Sequence, residues 1–274
     1  MRSDQADPAP FTRRLLLAHT LLSILTFGSQ SNARSAEVRS ASERPDLQPS
    51  STQPIRIMPL GDSITESSTG LASYRFYLWK RLSESGYRVD FVGSMRGVRG
   101  GRPSQTDFDQ DHEGHTGWRA DEVLANISGW ATAAHPDVVL IHLGTNDLWR
   151  REPISETVAE ISAIIDRLRA ANPRSKILVA HIIPSSLPAL REIVAYNRAL
   201  AKMVADKSTT ASPVAAVDLA TDFDPVAMTS DGVHPNDVGE RFMAERWFAA
   251  LTSQVQPILE RRANPQATDS MVDR

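Results

Sequence analysis

Three residues have the side chains that nucleophilic catalysis requires, and they stand in two short motifs far apart in the chain. Ser63 lies in the segment 61–65, which reads GDSIT, and Asp231 and His234 lie in the segment 231–234, which reads DGVH. A serine hydroxyl attacks an acyl carbon when an imidazole takes its proton, and that imidazole needs an acceptor for its other nitrogen. We therefore predict acyl-transfer chemistry with Ser63 as nucleophile, His234 as base and Asp231 as its carboxylate partner.

Each of these residues also has an ordinary structural interpretation. Ser63 suits the N-cap of a helix, Asp231 suits a turn, and His234 suits an exposed loop. All three fall where predicted strands or loops end, and this conjunction favours the catalytic interpretation.

The same chemistry requires hydrogen-bond donors for the negative charge that develops on the carbonyl oxygen. The backbone N–H of Ser63 is one candidate, and the side-chain amide of Asn146, in the segment GTND, is another, although asparagine equally suits a turn. A third is the backbone N–H of Gly117, which we prefer to Gly93 and Gly114, because glycine lets the main chain approach a substrate closely. We predict an oxyanion hole formed by Ser63, Gly117 and Asn146.

Two further patterns near these motifs concern metal and substrate binding. The segment 112–115, HEGH, holds two histidines three residues apart in a glycine loop, whereas a zinc-binding helix needs them four apart on one face. We predict no metal and no cofactor. Trp118 and Trp149 adjoin the predicted oxyanion donors and are candidates for stacking on a sugar or shaping an acyl pocket, although core or rim aromatic residues would look the same.

Short apolar runs alternate with longer amphipathic ones, and this alternation determines where the motifs stand. The predicted strands cover residues 55–60, 88–92, 138–143, 177–183 and 214–219, and the predicted helices lie around 74–82, 119–133, 158–168, 191–206 and 237–251. Because parallel strands need crossover connections, the pattern predicts an α/β fold, a three-layer α/β/α sandwich with a mainly parallel five-stranded sheet. Sites in such sheets form beyond the carboxyl ends of the strands, where Ser63 and Asn146 fall.

Composition excludes several kinds of chemistry and partner. The chain has 274 residues, 41% of them hydrophobic and 23% charged, which suits a single globular domain. It contains no cysteine, which removes disulfides, thiolate nucleophiles and cysteine-bound zinc. A formal net charge of -3 provides no basic surface for neutralising phosphates, so we expect no nucleic-acid partner. The oligomeric state stays open.

The two ends of the chain differ in composition from the part between them. An Arg13-Arg14 pair, a short apolar run and small residues around Ala33 are typical of an export signal, and the arginine pair loosely fits the twin-arginine kind, although an unprocessed amphipathic tail is the alternative. We predict a signal peptide over 1–33, a disordered linker over 34–54, a folded domain over 55–259 and a disordered tail over 260–274. Such a protein is secreted, extracellular or periplasmic, without stable membrane insertion after signal removal.

The motifs together resemble those of the SGNH or GDSL hydrolases. GDSIT at Ser63, a glycine loop, GTND at Asn146 and DGVH at His234 occur in this order over nearly the whole predicted domain. The resemblance implies a flavodoxin-like sandwich as the fold. It also implies that the four defining residues of the family are Ser63, Gly117, Asn146 and His234, and that Asp231 completes the catalytic triad.

A second resemblance concerns the substrate. The segments IRIMPLGDSIT, DFVGS and DHEGHTGW resemble the third family of carbohydrate esterases, which are acetylxylan esterases. That family usually reads HSGW where this chain has Thr116, and the longer insert 95–110, with Arg96, Arg99 and Arg102, is less familiar. The resemblance implies a serine esterase that removes acetyl groups from a carbohydrate such as acetylated xylan through an acyl-enzyme. The alternatives are a lipid or small-ester hydrolase on the same triad and a non-catalytic carbohydrate-binding module.

Overall fold

The computed structural model describes residues 53–263, in which a mainly parallel sheet lies between two layers of helices. The strands are β1 (Ile55–Gly61), β2 (Val89–Phe91), β3 (Met95–Arg96), β4 (Asp111–Gly114), β5 (Val138–His142), β6 (Lys176–Ala180) and β7 (Val214–Val217). The helices are α1 (Ser63–Glu66), α2 (Tyr74–Glu84), α3 (Ala120–Ala134), α4 (Thr145–Trp149), α5 (Ile154–Ala171), α6 (Ile193–Lys207) and α7 (Asp237–Ala263). The predicted α/β/α sandwich is confirmed.

The central strand β1 ends at the point where the order of the strands reverses. The sheet follows the order β3-β4-β1-β5-β6-β7, and β2 pairs with the first half of β1 on the side where β4 pairs with its end. Together, β2 and β4 act as one interrupted strand beside β1. When they are counted as one strand, the order is that of flavodoxin, in which the ligand crevice lies beyond the carboxyl ends of the strands, where the strand order reverses. Ser63 follows β1 and Asn146 lies just after β5, so both stand at this crevice.

Two hydrophobic cores, one on each face of the sheet, hold the helices in place. On one face, Val123 of α3, Ile161 of α5 and Leu200 of α6 pack in one buried cluster. On the other face, Leu78 of α2 and Trp247 of α7 pack in a second. The strand β5, which reads VVLIH, is buried throughout, as expected for a parallel strand with helices over both of its faces.

All five predicted strands are present, and the sheet has two further short strands that the apolar pattern did not indicate. β3 and β4 pair with each other in antiparallel fashion, and β4 also runs parallel to β1. β4 reads DHEG, and His112 and Glu113 within it are buried. Because these buried side chains are polar, hydrophobic periodicity does not mark the strand, and sequence reasoning predicted a loop there.

Several predictions for the ends of the chain concern residues outside the described range. The predicted signal peptide, nearly all of the predicted linker 34–54 and most of the predicted tail 260–274 lie outside residues 53–263, so these stay predictions, as does secretion. Helix α7 ends at Ala263. None of the helices in the described range combines the length and the apolar character that crossing a membrane requires.

Candidate active site

Ser63 is the first residue of a short helix directly behind the central strand. Asp62 is the N-cap of this helix, and its Oδ1 accepts the backbone N–H of Ile64 at 3.0 Å. Gly61, which ends β1, has no room for a Cβ atom, because the carbonyl oxygen of His142 occupies that space. Burial raises the pKa of Asp62 to about 6. Since Asp62 caps the helix, the Ser63 hydroxyl is free for another partner at the edge of the sheet.

Ser63, His234 and Asp231 form a continuous chain of hydrogen bonds. Ser63 Oγ lies 2.9 Å from His234 Nε2, and His234 Nδ1 lies 2.7 Å from Asp231 Oδ2. The tautomer that fits this chain carries its proton on Nδ1, which donates to the carboxylate, and leaves Nε2 to accept the serine proton. The structure thus brings together the three residues of the predicted triad.

The carboxylate of Asp231 builds its own turn and holds the imidazole at the same time. Its Oδ1 accepts the backbone N–H groups of Val233 at 3.0 Å and His234 at 2.8 Å, while Oδ2 accepts from the ring. Desolvation alone would raise the pKa of Asp231, but the donors from His234 and Val233 outweigh it and lower the pKa below its ordinary value. The ionised carboxylate stabilises this turn and the imidazole of His234, and this stabilisation is lost only when the pH falls through the lowered pKa of Asp231.

The loop that carries His234 is supported by the segment after β6. The carbonyl of Gly232 accepts the backbone N–H of Ser186 at 3.2 Å and the hydroxyl of Ser185 at 2.5 Å. Gly232 has a φ of +87°, and a Cβ atom there would meet Ser186 Oγ, so both backbone conformation and space require glycine. The N–H of Ser230 donates to the carbonyl of His234 at 2.8 Å and closes the turn.

Asn146 lies in the short helix α4, which begins almost directly behind β5. Gly144, the N-cap of α4, has a φ of +120° and packs against Tyr196, leaving no room for a Cβ atom. The Tyr196 hydroxyl donates to the carbonyl of Leu143 at 2.7 Å. Asn146 Nδ2 donates one proton to the carbonyl of Trp118 at 2.9 Å, and its second amide proton is available to a ligand.

The loop that carries Gly117 is tied to the nucleophile turn by two hydrogen bonds. The backbone N–H of His115 donates to the carbonyl of Gly61 at 2.9 Å, and the backbone N–H of Thr116 donates to Glu66 Oε2 at 2.9 Å. Gly117 has a φ of +82° and is exposed, with open space where a Cβ atom would stand. Glu66 is the last residue of α1, so one short helix positions both the serine and the glycine loop.

A buried arginine connects the nucleophile helix to the insert that follows β2. Arg75 of α2 is fully buried and donates to the backbone carbonyls of Thr65 at 2.8 Å, Glu66 at 3.1 Å, Gly97 at 2.6 Å and Gln110 at 2.8 Å. Burial lowers the pKa of Arg75 to about 10, so the guanidinium still carries its charge at neutral pH. It fixes the end of α1 relative to both ends of the insert.

We expect Arg75→Met to lower the free energy of unfolding by about 3–5 kcal/mol, because two buried and two partly buried carbonyl groups lose their donor. The measurement is urea unfolding of the two proteins followed by circular dichroism. Arg81→Met in the same helix is the matched control, since Arg81 is half exposed and pairs with Glu245 at 3.6 Å; its loss should stay below about 1 kcal/mol. Equal losses in the two variants would contradict the anchoring role of Arg75.

A pocket of about 140 Å³ is lined by Ser63 and His234. Its other lining residues include the apolar Ile64 and Leu71 and the buried Glu240. Burial raises the pKa of Glu240 to about 8, so this carboxyl is mostly protonated at neutral pH. A second cavity, of about 270 Å³, is lined by residues of β2, β4 and α3 and contains none of the predicted site residues.

The two tryptophans predicted to bind substrate differ in their surroundings. The Trp118 ring stacks on His115 with centroids 4.5 Å apart and packs against the hydrophobic core. The Trp149 ring is 49% exposed. Neither lines the pocket at Ser63, so Trp149 keeps an accessible face for a sugar outside the pocket, and Trp118 has one of its faces already occupied. Their roles in substrate binding stay predictions.

The residues of the HEGH segment are engaged with one another and with neighbouring strands. His112 Nδ1 accepts the backbone N–H of Gly114 at 3.0 Å. Glu113 Oε1 contacts His115 Nε2 at 2.7 Å and accepts the hydroxyl of Ser94 at 2.7 Å. These contacts give the segment a structural role, because they shape the end of β4 and tie Glu113 to Ser94 between β2 and β3.

Sequence reasoning missed two residues that organise the site, and only the first of them, Arg75, left a signal in the sequence. Arg75 stands at helical spacing from Leu78 and Leu82, which are both buried, so a charged residue on the apolar face of a predicted helix marked it as unusual. Glu66 directly follows the GDSIT motif, but its partner Thr116 is distant in sequence, and only the folded chain reveals that contact.

Comparison with known families agrees with this geometry. Residues 60–242 match the GDSL-like Lipase/Acylhydrolase family, so the chain belongs to that family. The resemblance to the GDSL or SGNH hydrolases is confirmed, and the matched domain is a carboxylic ester hydrolase.

Solved structures similar to this chain include carbohydrate esterases. A carbohydrate esterase family 3 protein from Talaromyces cellulolyticus is 35% identical, with a TM-score of 0.67, over 74% of this chain and 99% of that one. An acetyl esterase, crystallised as a serine-to-alanine mutant with an acetate ion, is 34% identical, also with a TM-score of 0.67 over 74% of this chain and 99% of that chain. The predicted resemblance to the third carbohydrate esterase family is confirmed.

The chain aligns with only part of each of two curated relatives. A multidomain esterase from Ruminococcus flavefaciens is 26% identical over 246 residues, and the match covers 78% of this chain and 30% of that protein. A protein named "Putative endoglucanase X" from Acetivibrio thermocellus is 28% identical over 145 residues, and the match covers 50% of this chain and 62% of that protein. The chain thus spans less than two thirds of either relative.

Proposed function

We propose that the protein removes acetyl groups from a carbohydrate through a covalent acetyl-enzyme. The observation that carries this proposal is the hydrogen-bonded chain from Asp231 through His234 to Ser63, which ends at a pocket of only about 140 Å³. The chain supplies an activated nucleophile, and the small pocket suits a short acyl group.

In the first half of the reaction, Ser63 Oγ forms a bond to the acetyl carbon while its proton passes to His234 Nε2. Asp231 accepts the Nδ1 hydrogen bond and stabilises the imidazolium that results. When the tetrahedral intermediate collapses, the bond to the sugar oxygen breaks and His234 returns the proton to that oxygen. The alcohol leaves, and the acetyl group stays on Ser63. In the second half, the oxygen of a water molecule forms a bond to the acetyl carbon while His234 takes its proton. The bond between that carbon and Ser63 Oγ then breaks, His234 returns the proton to Ser63, and acetate is released.

Three donors are proposed to stabilise the oxyanion of both tetrahedral intermediates. The N–H of Ser63 is the first amide of α1 and has no acceptor within its helix. The N–H of Gly117 stands on an exposed loop of left-handed backbone, and Asn146 has one amide proton beyond the one that it donates to Trp118. Fixed donors of this kind cost no reorganisation when the charge develops, and each contributes about 3 kcal/mol to the transition state.

The proposal of an acetyl group on a carbohydrate rests on pocket size and on relatives. Pockets that enclose drug-sized ligands occupy about 300–1,000 Å³, and the pocket at Ser63 is smaller, so it supports an acetyl group in preference to a long acyl chain. The solved structures that are 34–35% identical bear the names acetyl esterase and carbohydrate esterase family 3.

The test is an acyl-chain series of p-nitrophenyl esters together with acetate release from acetylated xylan, acetylated chitin-type oligosaccharides and small acetate esters. We expect kcat/KM to fall steeply beyond the shortest acyl chains, because the pocket at Ser63 excludes them, and we expect acetate release from at least one acetylated carbohydrate. Constant kcat/KM up to octanoate would favour a lipid-directed hydrolase on the same three residues. The Ser63→Ala protein is the blank for spontaneous hydrolysis.

A further inference from the structure

Arg99 places a positive charge at the pocket that Ser63 and His234 line. The residue is exposed, and in the described part of the chain its guanidinium has no carboxylate or carbonyl partner. Arg96 in the same insert differs, because it pairs with Asp111 at 2.7 Å. Because Arg99 is exposed and also lines the pocket, its donors are available to the sugar that remains outside when a short acyl group fills the pocket.

The backbone that carries Arg99 is fixed against the segment that follows the nucleophile helix. Its N–H donates to the carbonyl of Ser67 at 3.2 Å, and its own carbonyl accepts the backbone N–H of Thr69 at 3.1 Å and the hydroxyl of Thr69 at 3.0 Å. The N–H of Gly70 donates to the carbonyl of Arg102 at 3.0 Å. Because Ser67 follows α1 directly, the Arg99 backbone keeps a constant position relative to Ser63.

The other residues that line this pocket do not neutralise Arg99. Glu240 is the one carboxyl group among them, and it is buried and accepts the backbone N–H of Tyr74 at 2.6 Å. Burial raises the pKa of Glu240 to about 8, so it carries little negative charge at neutral pH. Arg99 thus contributes a permanent charge to a pocket whose other lining residues are neutral or, like His234, already hydrogen-bonded.

We propose that Arg99 binds a carboxylate on the sugar portion of the ester, so that the preferred substrate is an acetylated polysaccharide bearing uronic acid residues. This inference rests on the proposed function. It adds to that function a negative charge on the sugar alcohol that departs when the acetyl-enzyme forms. A guanidinium presents paired donors that match a carboxylate. The single positive charge of Arg99 is balanced by one uronate, whereas a neutral sugar offers only hydroxyl and ring oxygens, which make weaker hydrogen bonds to a guanidinium than a carboxylate does.

The test compares two forms of one substrate, acetylated xylo-oligosaccharides that carry glucuronic acid and the same oligosaccharides with the carboxyl group methyl-esterified. Acetate release gives kcat/KM for each form, and the measured quantity is the ratio of the acidic to the esterified value. We expect Arg99→Gln to lower this ratio about tenfold, as the loss of a hydrogen bond to a charged group predicts, and Arg99→Lys to lower it less. Arg96→Gln is the matched control and should leave the ratio unchanged.

A binding measurement separates failure of this inference from failure of the proposed function. Calorimetric titration of the acidic oligosaccharide into Ser63→Ala, and into Ser63→Ala with Arg99→Gln, should show about tenfold weaker binding to the second protein. Binding that depends on Arg99 without any acetate release from the wild-type enzyme would support Arg99 and contradict the proposed reaction. Acetate release with the same ratio in wild type and Arg99→Gln would overturn the inference.

Discussion

Replacing Ser63 with alanine should lower kcat for acetate release by about a million-fold, since the reaction loses the atom that forms the covalent bond. A residual rate above that of water should persist, because the proposed oxyanion donors Gly117 and Asn146 are still present. The measurement is single-turnover and steady-state acetate release from the best substrate of the panel. Circular dichroism of the variant should match that of the wild type, because the partly exposed Ser63 hydroxyl makes its side-chain hydrogen bond with His234.

A fluorophosphonate probe gives an independent measurement of the same residue. It should label the wild-type protein and Ser83→Ala, a control at an exposed serine of α2, and it should not label Ser63→Ala. A folded wild-type protein that the probe leaves unlabelled would favour a non-catalytic carbohydrate-binding module. Unchanged esterase activity in Ser63→Ala would refute the mechanism.

The second large effect concerns Asp231→Asn, which we expect to lower kcat about ten-thousand-fold while the turn persists. The Oδ1 atom of asparagine can still accept the N–H groups of Val233 and His234, as Asp231 does. The amide nitrogen that replaces Oδ2 would donate to His234 Nδ1 and stabilise the tautomer with its proton on Nε2, which cannot accept the proton of Ser63. The substitution therefore separates the relay from the turn. The measurements are kcat and the ring-proton tautomer by nuclear magnetic resonance.

The chain supplies a close control for this experiment. Asp224 Oδ1 accepts two backbone N–H groups, of Val226 at 2.9 Å and Ala227 at 3.3 Å, and the described structure gives it no histidine partner. Asp224→Asn should change kcat less than about twofold, since its turn chemistry is preserved and it contributes to no relay. Similar losses in Asp224→Asn and Asp231→Asn would show that the turn, and not the relay, determines the rate.

The fold could be predicted wherever the sequence shows a regular pattern of buried apolar residues. A helix was predicted around residues 158–168, and α5 continues to Ala171 with Asn172 as its C-cap; it ends there because the next residue is proline, which disfavours helical backbone before it. The strand β5 was predicted from a run of apolar residues that only His142 interrupts. The strand β4 was missed, since its buried side chains are polar and depend on partners such as Ser94 that are distant in sequence.

The sequence predicted the reacting groups of the candidate site, but it did not predict the residues that hold those groups in position. Ser63 and His234 were found because few residue types perform nucleophilic chemistry, and their neighbours formed recognisable motifs. The contacts of Arg75 with four carbonyl groups and of Glu66 with Thr116 depend on the path of the main chain. A carbonyl acceptor is present at every residue, so the sequence does not indicate which one a buried guanidinium will find.

The strand beside β1 is interrupted, because β2 and β4 each pair with one part of β1, and this interruption affects how the substrate range of the enzyme can change. After β2 the chain leaves β1, forms the short edge strand β3, and returns as β4 on the same side of β1. The excursion between them carries Arg99 but contributes nothing to the register of β1, β5, β6 and β7. Evolution or laboratory grafting can therefore lengthen, shorten or exchange the part of this excursion between Gly97 and Gln110 and alter which esters are accepted, provided that both carbonyl contacts with Arg75, which also holds the end of α1, are kept.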